Sequence, residues 1–105
     1  MKISVVIPTY NREEHLKNCL SSLLNQKKVL YEIFVIDNSS NHNAQKIIYS
    51  IKNDFDKKKI SLCYLKNNEN SGATARNLGA SHAQGDLIAF LDDDVILDVN
   101  YYHEI

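Results

Sequence analysis

Lys2-Ile3-Ser4-Val5-Val6-Ile7-Pro8 is a near-continuous apolar run, rich in β-branched residues and closed by a proline. A strand with one wet face alternates apolar and polar residues. A run of this kind instead marks a strand covered on both faces, as in a parallel sheet flanked by helices. Working outward, the chain repeats strand-like and helix-like stretches in alternation. Leu16, Cys19, Leu20, Leu23 and Leu24 follow helical spacing to Asn25, and Asn11 with Glu14 three residues later predicts a capping box at the start of that helix. Residues 31–36 form a second apolar stretch that stops at Asp37-Asn38-Ser39-Ser40, a cluster suited to a turn and a helix N-cap. Ala44, Ile47, Ile48 and Ile51 give the next helix one apolar face. The charged run 54–59 is expected to mark its exit into a solvated loop, and Lys57-Lys58-Lys59 is read as part of that loop rather than as a phosphate or membrane patch.

The second half continues the pattern. Residues 60–65 read as a third strand, and 66–72, with Asn67, Asn68 and Asn70, as a polar loop. Ala73, Ala75, Gly79, Ala80 and Ala83 predict a small-sided third helix able to approach a sheet closely, with Gly85 placed to stop it. Residues 87–91 are the fourth strand, 95–97 a short apolar stretch, and Asp98 a cap for a last, truncated helix over 99–105. The fold class that follows is α/β, with an open, mostly parallel sheet of about four strands and flanking helices.

With 105 residues, 44% of them hydrophobic, the chain supports one core and a single domain over 1–105. Twelve basic residues against thirteen acidic ones give a net charge of -1, which excludes a general attraction for nucleic acid or anionic lipid and makes any anion site local. Apolar runs are only strand-sized, so no transmembrane segment or signal peptide is expected and the chain reads as cytoplasmic. Cys19 and Cys63 lie in no metal or redox motif and are read as core residues. His15, His42, His82 and His103 show no ligand spacing.

Ligands of open α/β sheets bind at the carboxyl ends of the strands. Thr9-Tyr10-Asn11, Asp37-Asn38-Ser39 and Asp92-Asp93-Asp94 all follow strand ends, so one crevice can collect them. The three adjacent aspartates repel one another, and hard carboxylate oxygens suit Mg²⁺ or Mn²⁺, which uses one or two of them plus phosphates and water. Neither Gly-x-Gly-x-x-Gly nor a P-loop occurs, and Gly72, Gly79 and Gly85 are the only glycines. Phosphates are therefore expected on a metal ion rather than in a cradle of backbone amides.

Four stretches, 4–12, 32–40, 70–79 and 85–94, occur in the order and form that resemble the family 2 glycosyltransferases. The resemblance implies a GT-A fold, of which this chain is the Rossmann-like, nucleotide-sugar-binding half, with the acceptor half absent. It implies that Pro8, Thr9, Tyr10, Asp37 and Asn38 hold base and ribose, with Tyr10 offering an aromatic face. Gly72 and Arg76 line the nucleotide pocket, Arg76 pairing with phosphate or bracing the acidic loop. Asp92-Asp93-Asp94 takes the family's Asp-x-Asp position, with Asp94 a direct metal ligand, Asp92 a second candidate ligand, and Asp92 or Asp93 contacting ribose or metal-bound water. Many members carry two aspartates and a glycine where this chain has Asp37-Asn38-Ser39, so Asn38 substitutes an amide for a carboxylate.

The implied reaction transfers a sugar from a nucleotide-diphosphate sugar, with UDP- or dTDP-type donors favoured, to a glycan or lipid-linked acceptor in polysaccharide biosynthesis. Inversion is the implied stereochemical course, and Mg²⁺ or Mn²⁺ offsets charge on the leaving diphosphate. The general base is expected beyond residue 105, which predicts that the chain alone transfers sugar poorly. A full-length protein is expected to lie peripheral to the membrane, and the piece to self-associate through apolar surface of its third helix and fourth strand. Three alternatives remain at this level. Asp92-Asp93-Asp94-Val95 is read against the Asp-x-Asp-x-Val pattern of phosphatases that use an aspartate nucleophile and Mg²⁺, although there the motif follows the first strand. A nucleotidyltransferase shares the sheet and metal but shows a glycine-rich first loop, and a non-catalytic nucleotide-binding module keeps the fold without chemistry.

Overall fold

The computed structural model describes residues 1–68 and 71–103. Its elements alternate along the chain: β1 (Ile3–Thr9), α1 (Glu13–Leu24), β2 (Glu32–Asp37), α2 (Asn43–Lys57), β3 (Ser61–Lys66), α3 (Gly72–His82) and β4 (Leu87–Phe90). The strands form one sheet in the order β3-β2-β1-β4, and every pair is parallel. The sheet grows outward through β2 and β3, then reverses to place β4 on the far side of β1. Right-handed crossovers require that reversal to put α3 on the opposite face from α1 and α2.

Residue alternation in the strands matches those two layers. Ile3, Val5 and Ile7 of β1 join Ile33, Val35 and Leu62 against Leu16, Leu20, Leu23, Ile48 and Phe55 of α1 and α2. Val6, Phe34 and Ile36 face the other way, against Ala75 and Leu78 of α3. Both faces of β1 are therefore dry, as its composition demands, and each fully buried Val or Ile contributes about 1.5–3 kcal/mol. The small residues of α3 let it lie close: a β-carbon on Gly79 would collide with Val6.

Several expected boundaries are corrected. The capping box does not form: α1 begins at Glu13 after Arg12, without a side-chain cap, because Asn11 adopts a left-handed backbone (φ 52°) and its Oδ1 accepts a hydrogen bond from Asn41 Nδ2 at 2.8 Å. Helix α2 starts later than Asp37–Ser40, where Asn41 Oδ1 accepts from the Asn43 amide at 3.0 Å. It then runs through the charged stretch to Lys57, because Phe55 continues the apolar stripe into the core.

Gly85 does not stop α3, which ends at His82 with Ala83 already extended. Its amide instead donates to Ser4 Oγ at 2.8 Å, and a β-carbon there would strike Ser4 and the Lys2 carbonyl. Ser4 Oγ in turn donates to Glu32 Oε2 at 2.7 Å, and that buried carboxylate also accepts from the Gln84 amide. The last helix is also absent among the described residues: 99–103 form turns, with Asp98 Oδ1 accepting from the Asn100 amide at 2.9 Å. Residues 104 and 105 of that expected helix, and Asn70 of the expected loop, lie outside the described residues. Cys19 and Cys63 are free thiols. Among the described residues no helix is long and apolar enough to cross a membrane.

Candidate functional site

Because all four strands are parallel, their carboxyl ends lie on one rim, in the order Lys66, Asp37, Thr9 and the loop after Phe90. Strand order reverses between β1 and β4, which is where such sheets open a crevice. The structure thus brings the three predicted polar segments to one edge.

Asp37 ends β2 and is fully buried. Ser39 donates to its Oδ1 from both amide (2.9 Å) and hydroxyl (2.7 Å), while Tyr64 Oη donates to Oδ2 at 2.5 Å and Lys66 Nζ lies 3.4 Å away. Burial alone would raise the carboxyl's pKa. The bonds from Tyr64 and Ser39 and the Lys66 charge outweigh it and hold the pKa below the ordinary value. Tyr64 is pushed the opposite way by burial and by its bond to Asp37. Lys66 also donates to the Asn41 carbonyl at 2.6 Å, so one ammonium ties the ends of β2 and β3 to the loop before α2.

Above this charged knot lies a cleft of about 330 Å³ lined by Tyr10, Asn38, Ser39, Ser40, Lys66, Asn67 and Asn68. Tyr10 is about half exposed there. Asn38 Oδ1 accepts a 2.6 Å bond from Asn67 Nδ2, which also reaches Thr74 Oγ1 at 3.1 Å and the Ser71 carbonyl at 3.3 Å. Asn67 therefore couples the cleft to the start of α3, whose N-cap is Ser71. Gly72 opens that helix on the surface, with Arg76 one turn on. Pro8 sits within β1, paired with Ile36 and directly before Thr9 and Tyr10, and does not line this cleft.

The acidic triplet divides by environment. Asp93 is buried: Oδ2 accepts from Thr9 Oγ1 at 2.8 Å and Oδ1 from Arg12 Nη1 at 3.2 Å. Asp92 and Asp94 are exposed, and Arg12 Nη1 lies 3.7 Å from Asp94 Oδ2. The repulsion within the triplet is thus offset by Arg12. Among the described residues Arg76 makes no ion pair with the triplet; it shares with Asp92 a second cleft of about 360 Å³, walled by Phe90, Leu91, Val95, Leu97 and Tyr101. Under the triplet, burial first and then Asp93 and Asp94 push the Cys19 thiol up to about 12.

Among the described residues no cluster of three or more His, Cys, Asp or Glu is placed to hold a metal ion. The described residues therefore do not build a free-standing metal cage. Two exposed carboxylates with hard oxygens do fit a Mg²⁺- or Mn²⁺-type cation that takes its remaining ligands from a diphosphate and water.

Arg12, Tyr64, Lys66 and Asn67 carry site contacts that no motif in the sequence announces. Two of these had a signal available. Lys66 is the register partner of Asp37, and Asn67 follows it as Asn38 follows Asp37, so counting one residue past each parallel strand would have found both.

A family model described as "Glycosyl transferase family 2" matches residues 4–105. The chain belongs to glycosyl transferase family 2. An uncharacterized glycosyltransferase of Haemophilus influenzae is 41% identical over 93 residues, covering 88% of this chain and 36% of that protein. A GalNAc(5)-diNAcBac-PP-undecaprenol beta-1,3-glucosyltransferase of Campylobacter jejuni is 33% identical over 94 residues, covering 89% of this chain and 29% of that protein. Among solved structures, S. aureus TarS 1–349 in complex with UDP superposes with a TM-score of 0.80 at 27% identity, over 99% of this chain and 30% of that one. Its complex with UDP-GlcNAc matches with a TM-score of 0.72 at 30% identity, over 90% and 27%. This family 2 chain therefore spans about a third or less of the length of these relatives, and it shares the GT-A sheet.

Proposed function

We propose that this chain is the donor-binding part of a glycosyltransferase that takes a sugar from a nucleotide-diphosphate sugar, with a UDP- or dTDP-type donor and Mg²⁺ or Mn²⁺. The observation that carries the proposal is the single rim: the carboxyl end of β1 lies between a cleft lined by Tyr10 and Asn38 on one side and a second cleft that takes in Asp92 on the other. That TarS is solved with UDP and with UDP-GlcNAc supports the same donor class.

In this reading Tyr10 offers its ring to the base and Asn38 its amide, while Asp37 and Thr9 act from beneath by fixing the loops that carry them. Gly72 leaves the mouth of α3 open, and Arg76 faces the donor's phosphates or ribose from the cleft that it shares with Asp92. Asp94, with Asp92, supplies carboxylate oxygens to the cation, and buried Asp93 anchors the loop. When bound, the cation would neutralise negative charge on the departing diphosphate. The base that deprotonates an acceptor hydroxyl is assigned to sequence outside residues 1–105, so the chain alone is proposed to bind donor far better than it turns it over. A glycan or lipid-linked acceptor, a role in polysaccharide biosynthesis and a cytoplasmic, membrane-peripheral setting belong to the same proposal. The exposed Leu87, Ile88 and Phe90 of edge strand β4 support self-association of the isolated chain.

Calorimetry with UDP-sugar and dTDP-sugar, with and without Mn²⁺, tests it. Metal-dependent binding lost in Asp94→Ala is expected. Equal binding without metal would remove the site, and robust sugar transfer by the 105 residues alone would remove the missing base.

A further inference from the structure

Arg12 is held in place from two sides. The left-handed backbone at Asn11, a conformation that a non-glycine residue adopts at a cost, turns the chain at the end of β1, and Asn41 fixes the Asn11 amide. Arg12 follows at the head of α1, with Nη1 3.2 Å from Asp93 Oδ1 and 3.7 Å from Asp94 Oδ2. The two carboxylates are not equivalent. The Asp93 side chain is 5% exposed and shares its charge with Thr9 as well, so that contact anchors the guanidinium. The Asp94 side chain is 46% exposed and lies beyond good hydrogen-bond distance, so that contact is loose and easily exchanged.

We propose that Arg12 is a positioning residue that makes cation capture at Asp94 conditional on a bound diphosphate. The inference rests on the reading of Asp94 as the metal-binding carboxylate. With its guanidinium clamped to Asp93, Arg12 keeps one positive charge beside the Asp94 oxygens, and a bare divalent cation must displace or tolerate it. A nucleoside diphosphate reverses the balance, because its negative charge offsets the guanidinium and its oxygens complete the coordination shell. The lack of a three-ligand cluster among the described residues agrees with a site that a cation does not fill alone.

The test is Mn²⁺ binding itself, followed by the paramagnetic signal of free Mn²⁺, with and without saturating UDP, for the wild type, Arg12→Gln and Arg12→Lys. Wild type is expected to bind Mn²⁺ weakly alone and roughly tenfold or more tightly with UDP. Arg12→Gln should bind Mn²⁺ alone roughly fivefold or more tightly than wild type and lose most of the UDP-dependent gain, whereas Arg12→Lys, which keeps the charge, should resemble wild type. Unchanged or weaker Mn²⁺ binding by Arg12→Gln without nucleotide overturns the inference, as does equal tightening in Arg12→Lys. Should Arg12→Gln fail to fold because Asp93 is left short of a donor, Arg12→His, compared with wild type well above the imidazole's ordinary pKa so that a neutral ring still donates to Asp93, must show the same tightening. Absence of any UDP-dependent Mn²⁺ binding in wild type would instead sink the metal reading of Asp94, and this inference with it.

Discussion

Thr9 and Asp93 are 84 residues apart, yet Thr9 Oγ1 donates a 2.8 Å hydrogen bond to Asp93 Oδ2, and both are buried. The bond fastens the carboxyl end of β1 to the loop after β4 across the point where strand order reverses. It fixes Asp93 so that its neighbours on either side, Asp92 and Asp94, stay at the surface.

Thr9→Val keeps the branched shape suited to β1 and removes only the hydroxyl. It leaves the Asp93 carboxylate short of one donor, and the expected loss is about 1–3 kcal/mol of stability. Urea denaturation of the two proteins measures it, and Mn²⁺-dependent nucleotide binding should weaken in the same variant.

Tyr10→Ala separates binding from folding. Its ring is half exposed, so the melting temperature should move little. Base–aromatic stacking is worth about 1–3 kcal/mol, so UDP affinity should fall roughly five- to 150-fold. Calorimetry gives the affinity, and an unchanged value would place the base elsewhere.

The Asp37 knot predicts an acid-sensitive fold. Its pKa lies below the ordinary 3.8 in the folded chain, so its stabilising contribution is present above the unfolded-state value and is lost as pH falls through the lower folded value. Unfolding free energies measured by urea from neutral pH downward should drop in that acid window, and Asp37→Asn should lose stability at neutral pH while flattening the drop.

Gly79→Ala tests how closely α3 is seated. The added methyl meets Val6 in the middle of β1, and overpacking of this kind costs about 1–3 kcal/mol. The double variant with Val6→Ala should recover part of the loss in thermal melts.

The alternation of strands and helices, the parallel sheet and the rim segments were legible from apolar pattern alone. The first three strands, however, run 3–9, 32–37 and 61–66 rather than 2–8, 31–36 and 60–65. Pattern reading stops at the last apolar residue, whereas the ladder continues through the polar trio Thr9, Asp37 and Lys66. The partners of the site residues were not legible for a related reason. That Arg12 answers Asp93 depends on β1 and β4 lying side by side, and no local spacing encodes that adjacency. Asn11 illustrates the same limit: its capping signature was sound locally, but a neighbour 30 residues on claimed the amide.

The relay from the Gly85 amide through Ser4 to the Glu32 carboxylate ties β1, β2 and the approach to β4 at the end of the sheet opposite the clefts. Cohesion and chemistry are thereby housed at separate ends of the same scaffold. Loops such as 38–41 and 92–97 can be diversified in search of altered ligand preference while the far end keeps the strands in register. Changes to Ser4 or Glu32 would compromise every such variant at once.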